Sequence, residues 1–510
     1  MELMEILILV VGLSILLILS YYLFSQASSA SSTILFEETQ YEKITSFTSN
    51  FFYTRIPGID KTISQLLADR IVSDNDVVYY GEQYGGLNVT KIIHDYFNSY
   101  FSNRWNLSIS VNAKIVYSVL WIPNSYTGNS ISKIDIKDGT EKGRYSTVPA
   151  GIYGNPSRVA VDSKGNVWVG NRGTRTLVKI GLSEADECID RNGNGVIDTS
   201  EDSDKDGIIT PYETYPFGDD ECLLANVFLG GSDYGNFDAE GVRAVCTDKQ
   251  DNVYAGLFGE RKLFYVSKDG DVLKEWSSIV QPYGCFVDDK GIVWISSAAD
   301  PVNSHKLERF DPSTENFQVF DIGHTVYGIA PCFNEDCLVI NGWGDMKLTK
   351  LNTTTNQIIF DLDKPELLEG RGLTMDENND IYAVSSAKNL IVKYDKDGNE
   401  IVRAATCGKP TGVGIDAFGK IWTTCIESVA SPSAIKRFTK NLVPEIKSVF
   451  GSAHYVYNFF TSYNLQPIVF EKHMSFGYDP KANRIRTFII KLPLPQPNIG
   501  GVVNVFLRQW

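Results

Sequence analysis

The stretch Pro156-Ser-Arg-Val-Ala-Val-Asp-Ser-Lys-Gly-Asn-Val-Trp-Val-Gly-Asn171 reads as two short apolar runs separated by Asp162-Ser-Lys-Gly165, the pattern of a tight hairpin. Its marker, an Asp followed six positions later by an aromatic, returns as Asp248 with Tyr254, Asp288 with Trp294, Asp376 with Tyr382 and Asp416 with Trp422. A second marker follows downstream: an apolar residue, any residue, usually Lys or Arg, then an apolar residue. It occurs seven times, ending at Ile134, Ile180, Val266, Phe310, Leu351, Tyr394 and Phe438. Successive ends lie 46, 86, 44, 41, 43 and 44 residues apart, so one interval is doubled and holds an insertion. The first repeat shows only Trp121, and the fifth replaces the Asp turn with Cys332-Phe-Asn-Glu-Asp-Cys337.

A repeat of about 40 to 45 residues holding some four short strands has the size of a propeller blade. One such blade leaves two apolar faces bare, whereas radial stacking covers each face with a neighbour and leaves only short edges. Helical repeats have a similar period, but the Val-Trp, Ile-Tyr and Ile-Trp pairs flanked by Gly and Asp favour strands. The expected fold is therefore mainly β, a seven-bladed β-propeller over residues 115–445. Composition agrees, with 43% apolar residues, 21% charged residues, 42 Gly and 26 Tyr in 510 residues. Lys plus Arg number 47 against 62 Asp plus Glu, a formal charge of −15, which leaves no basic surplus for nucleic acid as a partner.

Residues 156–171 and Pro282-Tyr-Gly-Cys-Phe-Val-Asp-Asp-Lys-Gly-Ile-Val-Trp-Ile295 resemble blades of the streptogramin (virginiamycin B) lyase-like and NHL-type propellers. The resemblance spans roughly residues 115 to 445. It implies the fold and leaves function open, because lyases, lactonases, sensors and binding modules share it. Members with lyase activity carry Trp-Phe-Thr-Glu on the second strand, and His and Glu side chains with a divalent ion near the channel mouth. The matching segments here are Trp168-Val-Gly-Asn171, Tyr254-Ala-Gly-Leu257, Trp294-Ile-Ser-Ser297, Tyr382-Ala-Val-Ser385 and Trp422-Thr-Thr-Cys425, with no carboxylate at the Glu position. Residues 115–445 hold two His, His305 and His324. His324, entering a blade, is the weak catalytic candidate; a loop or packing role is its other reading, since acid–base work needs a partner within hydrogen-bond reach.

The doubled interval carries the clearest chemical pattern. Asp190, Asn192, Asn194, Gly195, Val196, Asp198 and Glu201 stand at positions 1, 3, 5, 6, 7, 9 and 12 of a twelve-residue calcium loop. Asp202, Asp204, Asp206, Gly207, Ile208, Thr210 and Glu213 repeat it immediately. Ca²⁺ is a hard ion wanting six to eight oxygens, which alternate carboxylates and amides, a position-7 carbonyl and a final bidentate Glu supply. The loops abut without room for intervening helices, so tandem EF-hand-like Asp-rich calcium repeats are expected rather than a paired sensor. The motif lies in an excursion over 183–224, expected between blades and bounded by Asp186-Glu-Cys188 and Asp220-Glu-Cys222. The flanking Cys suggest a disulfide closing its base, with bound Ca²⁺ in a structural role. Eight Cys suit an oxidising compartment. Cys332 with Cys337, Cys407 with Cys425 and Cys246 with Cys285 are the further pairings considered, and Asn88, Asn106 and Asn352 begin glycosylation sequons.

The flanks differ in kind. Ile6 to Phe24 is an uncharged apolar run of 19 residues, about 28 Å as a helix and enough to span a bilayer core of roughly 30 Å. No Lys or Arg precedes Lys43, which favours a retained anchor over a cleaved signal, although Ala27-Ser-Ser-Ala30 offers a small-residue cleavage stretch. Met1, Glu5 and this run resemble the N-terminal helix of type IV pilin-like proteins, which implies packing into a homopolymeric filament. A carboxylate at the positive end of a helix is the plainer reading of Glu5.

Four regions are therefore expected: a transmembrane helix (1–24), a membrane-proximal α-helical or α+β segment (25–114), the propeller (115–445) and a C-terminal β segment (446–510). In the second, Ile63, Leu66, Leu67 and Ile71 suggest one helix, and Asn88 or Thr90 caps another. Arg484 to Leu492 and Val502 to Leu507 read as strands that complete a small α+β domain with the 25–114 segment. The functional expectation is a membrane-anchored, extracytoplasmic, calcium-binding propeller that binds a surface protein or glycan. The alternative is a propeller lyase or lactonase with a metal at the channel mouth.

Overall fold

The computed structural model describes residues 119–456, apart from 186, 205, 239, 417 and 428–431. It also describes strands Val77–Tyr79, Gly86–Asn88, Trp105–Ile115, Ile468–Gly477, Arg486–Pro493 and Ile499–Gln509, and helical positions 91, 92, 94, 95 and 98. The chain divides into two units, Tyr117–Gln466 and the paired segments Met1–Val116 and Pro467–Trp510.

The larger unit is a seven-bladed β-propeller. Six antiparallel four-stranded sheets follow one another in sequence, and a three-stranded sheet precedes them. In blade 3, for example, Val242–Thr247, Val253–Leu257, Lys262–Val266 and Val272–Ser277 pair in chain order. Inner strands such as Val253–Leu257, Ile381–Ser385 and Ile421–Cys425 are buried at every residue, whereas outer strands such as Ile358–Asp363 and Glu400–Ala405 alternate between exposed and half-buried. Stacked neighbours cover both faces near the axis, and the outer edge meets water.

In blades 4, 6 and 7 the recurring Asp bonds the recurring aromatic within the inner hairpin. Asp416 Oδ1 accepts the N–H groups of Phe418 and Lys420, both at 2.9 Å, while Oδ2 accepts Trp422 Nε1 at 2.8 Å. Asp288 does the same for Lys290, Ile292 and Trp294. One carboxylate thereby closes the turn and satisfies a buried indole. The cation of the second marker covers that ring: Lys179 Nζ lies 5.3 Å from the Trp168 centroid and 3.2 Å from Asp162 Oδ2, and Lys393 Nζ lies 5.3 Å from the Tyr382 centroid. In blade 5 the turn is closed by the Cys332–Cys337 disulfide, and Cys332 N–H donates to the Cys337 carbonyl at 2.9 Å.

Blade 1 explains why the first repeat shows only Trp121. Its own strands, Val119–Asn124, Ser130–Asp135 and Glu141–Ser146, are the outer three. The inner position is taken by the chain's return after blade 7, through a bridge between Asn124 and His454. Ser125 N–H donates to the Ala453 carbonyl at 3.3 Å, Ser452 N–H to Asn124 Oδ1 at 3.2 Å, and Thr411 Oγ1 to the His454 carbonyl at 2.8 Å. The ring is closed by pairing its two ends.

The acidic excursion lies inside blade 2, between strands Thr176–Ile180 and Leu223–Phe228, rather than between blades as its position in the repeat pattern suggested. Leu223–Phe228 returns to complete the blade, so the insertion lengthens one connection and leaves blade order untouched. Four disulfides form: Cys188–Cys222 at the base of the excursion, Cys246–Cys285 between the inner strands of blades 3 and 4, Cys332–Cys337 and Cys407–Cys425.

In the second unit Trp105–Ile115 pairs antiparallel with both Ile468–Gly477 and Ile499–Gln509, and Arg486–Pro493 pairs with the latter. Asn88 Oδ1 accepts the Lys91 N–H at 2.7 Å, an N-cap to the helical positions that follow. Among the described residues no helix is long and apolar enough to cross a membrane. The apolar run Ile6–Phe24, with Glu5, and the expected helix over 63–71 lie outside the described residues.

Candidate functional site

In the second acidic loop, carboxylate oxygens of Asp202, Asp204 and Asp206 lie within 4.8 Å of one another. Asp202 Oδ2 accepts the Gly207 N–H at 3.1 Å, while its Oδ1 is buried with no hydrogen-bond donor among the described residues. Glu213 folds back across the loop: Oε1 accepts Ser203 N–H at 2.9 Å, and Oε2 accepts Thr210 N–H and Thr210 Oγ1, each at 2.9 Å. The Thr210 N–H, then its hydroxyl, hold the Glu213 carboxyl down to about 2, so it is ionised at neutral pH. Ile208 points outward, leaving its carbonyl as the ligand expected of that position.

The first loop has the same internal ladder. Asp190 Oδ2 accepts Gly195 N–H at 2.8 Å, Asn192 Oδ1 accepts Asn194 N–H at 2.9 Å, and Asn194 Oδ1 accepts Val196 N–H at 2.8 Å. Asp198 Oδ2 takes the side-chain amides of Asn192 and Asn194. Glu201, the expected twelfth-position residue, is exposed. Glu221 hydrogen-bonds across this loop: Oε1 accepts Arg191 N–H at 2.8 Å and Oε2 accepts Asp198 N–H at 2.9 Å. These are loop positions 2 and 9, the same two that Glu213 serves in the second loop. Glu221 adjoins Cys222, so the Cys188–Cys222 disulfide anchors it.

The excursion also grips blade 1. Asp202 N–H donates to the Lys142 carbonyl at 3.1 Å, Arg144 Nη1 to the Ile209 carbonyl at 3.5 Å, and buried Lys133 Nζ meets Glu184 at 2.9 Å. Any ion ordering these loops therefore ties blade 2 to blade 1, the blade that closes the ring.

His324 is buried and hydrogen-bonded at both ring nitrogens. It is 6% exposed; Nε2 lies 2.7 Å from Thr349 Oγ1, and Thr349 Oγ1 donates to Asp361 Oδ1 at 2.7 Å. Burial holds its pKa below the ordinary histidine value. His305 Nε2 lies 3.4 Å from Asp321 Oδ2, at the end of the outer strand of blade 4.

The propeller axis presents an arrangement that the sequence motifs did not single out. At one end of the channel, the first residues of the inner strands and those just past the second strands converge. The hydroxyls of Tyr283, Tyr327 and Tyr455 form a triangle with edges of 3.2, 3.2 and 3.5 Å. Around it stand four guanidiniums. Arg172, Arg371 and Arg158 have Cζ at 4.4, 5.4 and 5.8 Å from the Tyr455 centroid, and Arg158 and Arg243 each lie 4.9 Å from the Tyr283 centroid. Arg371 also stacks on Trp343 at 4.3 Å and donates to Tyr327 OH at 3.3 Å. Arg158 is fixed by donation to the Tyr283 carbonyl at 3.1 Å. Burial pushes the Tyr455 phenol up, yet Arg371, Arg172, Arg158 and Arg243 outweigh it and hold the phenol well below its usual value. Beneath the mouth, Arg158, Cys285, Tyr327 and Leu373 line a cavity of about 20 Å³, room for a water or a small group.

A signal for this cluster exists in the sequence. Arg243, Tyr283 and Arg371 each stand five residues before a marker Asp, and Tyr327 stands five before Cys332. Aligned repeats place these positions together at the channel end.

No protein-family model matches the chain, and no curated protein matches it. Similar folds are found among solved structures. The virginiamycin B lyase from Staphylococcus aureus is 16% identical, with a TM-score of 0.42, covering 57% of this chain and 83% of that one. A streptogramin B lyase is 14% identical, with a TM-score of 0.45 and coverage of 62% and 94%. A functionally unknown protein from Desulfotomaculum acetoxidans is 11% identical, with a TM-score of 0.46 and coverage of 69% and 98%.

Proposed function

We propose that this chain is a calcium-stabilised binding module, a propeller anchored to the cell membrane by its N-terminal apolar run and presenting its channel mouth outside the cytoplasm. The observation that carries the binding reading is the mouth itself, where four guanidiniums gather over three tyrosines whose hydroxyls lie within 3.5 Å of one another. Side chains of this kind hold a ligand by stacking and forked hydrogen bonds. A surface protein or glycan is the partner. Export is supported by the four disulfides, which persist in oxidising compartments.

Calcium is the resident ion of the excursion. Asp202, Asp204, Asp206, Glu213 and the Ile208 carbonyl supply oxygens to one ion, with Thr210 at the ninth position. Asp190, Asn192, Asn194, Asp198, the Val196 carbonyl and Glu221 supply the other. The buried Asp202 Oδ1, which has no donor among the described residues, supports the first of these, because a cation satisfies it. A filament built through Glu5 is compatible with this reading, the propeller then being displayed on the fibre.

The test uses the full chain in detergent with calcium. It is offered envelope polysaccharides and surface proteins and, separately, a streptogramin B depsipeptide with Mg²⁺. Saturable binding with the depsipeptide unchanged in chromatography and mass is the expected result. Opening of its ring would overturn the binding reading in favour of a lyase or lactonase.

A further inference from the structure

We propose that Asn352 is a glycosylation site, its side-chain amide carrying an N-linked saccharide on the outer turn of blade 5. The inference rests on the reading that the chain is exported, since a sequon is an acceptor only in a surface loop outside the cytosol.

Asn352 ends strand Lys347–Asn352, and a turn over 353–357 leads to the edge strand Ile358–Asp363. The Asn352 N–H donates to the Gln357 carbonyl at 2.9 Å and closes that turn. Its side-chain Oδ1 accepts the Thr354 and Thr355 N–H groups at 2.9 and 2.8 Å. The amide is thereby fixed in a capped turn, while its Nδ2 has no acceptor among the described residues. Two donors on Oδ1 draw charge from the amide and make an Nδ2 proton easier to lose. Thr354, the hydroxyl residue of the sequon, is exposed. Its Oγ1 donates to Asp336 Oδ2 at 2.9 Å and accepts from Lys290 Nζ at 2.8 Å, both surface groups that an incoming transferase can displace at little cost.

The other sequons are placed differently. Asn106 lies in strand Trp105–Ile115, paired on both sides from Asn106 onward. Asn88 caps helical positions through Oδ1, and its sequon residues Val89 and Thr90 lie outside the described residues.

The location suits a saccharide. Asn352 pairs with Cys337, so the turn stands at the disulfide end of blade 5. Tyr327, at the channel mouth, precedes the opposite end of strand Gly328–Pro331, so a saccharide on Asn352 leaves the mouth open. Ile358 and Ile359 of the edge strand are 45% and 54% exposed, and Ile358 faces Leu351 in the register. A bulky polar saccharide rooted beside that edge hinders its pairing with another chain.

In the transfer, Asn352 Nδ2 attacks the anomeric carbon of a lipid-phosphate-linked saccharide. The N–C bond forms, the C–O bond to phosphate breaks, the lipid phosphate leaves with the electron pair, and a base of the transferase takes the Nδ2 proton.

The experiment is mass spectrometry of the full chain purified from the cells that make it, digested with and without prior reduction. A saccharide mass is expected on the peptide carrying Asn352, placed on Asn352 by fragmentation that keeps the glycan attached. Thr354→Ala is expected to abolish it and Thr354→Ser to retain it. An unmodified Asn352, or a saccharide on Thr353 or Thr355 instead, would overturn the proposal, and the wild-type digest alone decides this should a variant not fold. Formed disulfides beside an unmodified Asn352 leave export standing and remove only the glycan, whereas free thiols throughout would overturn both.

Discussion

Glu221 Oε2 accepts the backbone N–H of Asp198 at 2.9 Å, the same bond that Glu213 Oε2 makes to Thr210 in the neighbouring loop. A residue twenty positions beyond the expected Glu201 thus closes the first loop. Glu221→Gln is expected to weaken calcium binding at that loop by roughly tenfold or more, since a bidentate carboxylate becomes a neutral amide. Glu201→Gln is expected to leave it within about twofold. Calcium titration of both variants checks this, and the reverse order would restore Glu201 as the ligand.

Ring closure depends on Gly451. Its φ is +46°, and a Cβ there meets Asn124 Oδ1 at 1.9 Å. Asn124 bridges the ring ends, so Gly451→Ala is expected to cost about 2 to 4 kcal/mol through backbone strain and displacement of that amide. Chemical denaturation measures it. A cost below 0.5 kcal/mol would mean that the Asn124–His454 bridge does not hold the ring.

The marker Asp and aromatic make a buried hydrogen bond that one atom removes. Tyr382 OH lies 3.2 Å from Asp376 Oδ2 and 3.0 Å from the Lys440 carbonyl, with both Tyr382 and Asp376 fully buried. Tyr382→Phe is expected to destabilise the propeller by about 1 to 3 kcal/mol, the cost of leaving those acceptors short of a donor. Equilibrium unfolding in urea reads the difference.

Glu308 is fully buried, and burial raises its carboxyl to about 7, with the Ser278 hydroxyl and Ile279 N–H pulling the other way. A carboxyl raised in the folded state binds a proton there more tightly than in the unfolded chain. Its contribution is therefore present below about 4.5 and is lost as pH rises through about 7. Glu308→Gln removes this dependence. Stability of wild type relative to the variant is expected to fall by about 3 kcal/mol between pH 4.5 and 7. Parallel pH–stability curves would contradict the burial argument. Taking the difference also cancels His454, whose pKa burial lowers in both proteins.

The fold was readable because its signals are local. Asp416 and Trp422 touch each other across a turn, and Lys179 covers Trp168 from the adjacent strand, so seven repeats announce themselves within a few residues. What escaped was non-local. The inner strand of blade 1 comes from His454, on the far side of the chain from Asn124. The fourth strand of blade 2 follows the whole acidic excursion, which made the insertion look as if it separated blades. Tandem Asp-x-Asp patterns mark the loops themselves, but Glu221 reaches Asp198 only through the fold. The mouth is harder still, because Arg158, Arg243, Tyr283, Tyr327, Arg371 and Tyr455 meet only once the blades close into a ring.

Calcium titration of the chelator-treated full chain, followed by both heat and thermal unfolding, tests the calcium-clipped propeller most directly. The account predicts two ions bound per chain and an unfolding temperature that rises with free calcium, with about 2.7 kcal/mol of stabilisation at a hundredfold excess over Kd for each site. A folded chain that takes up no calcium, or whose unfolding temperature ignores it, would contradict the account.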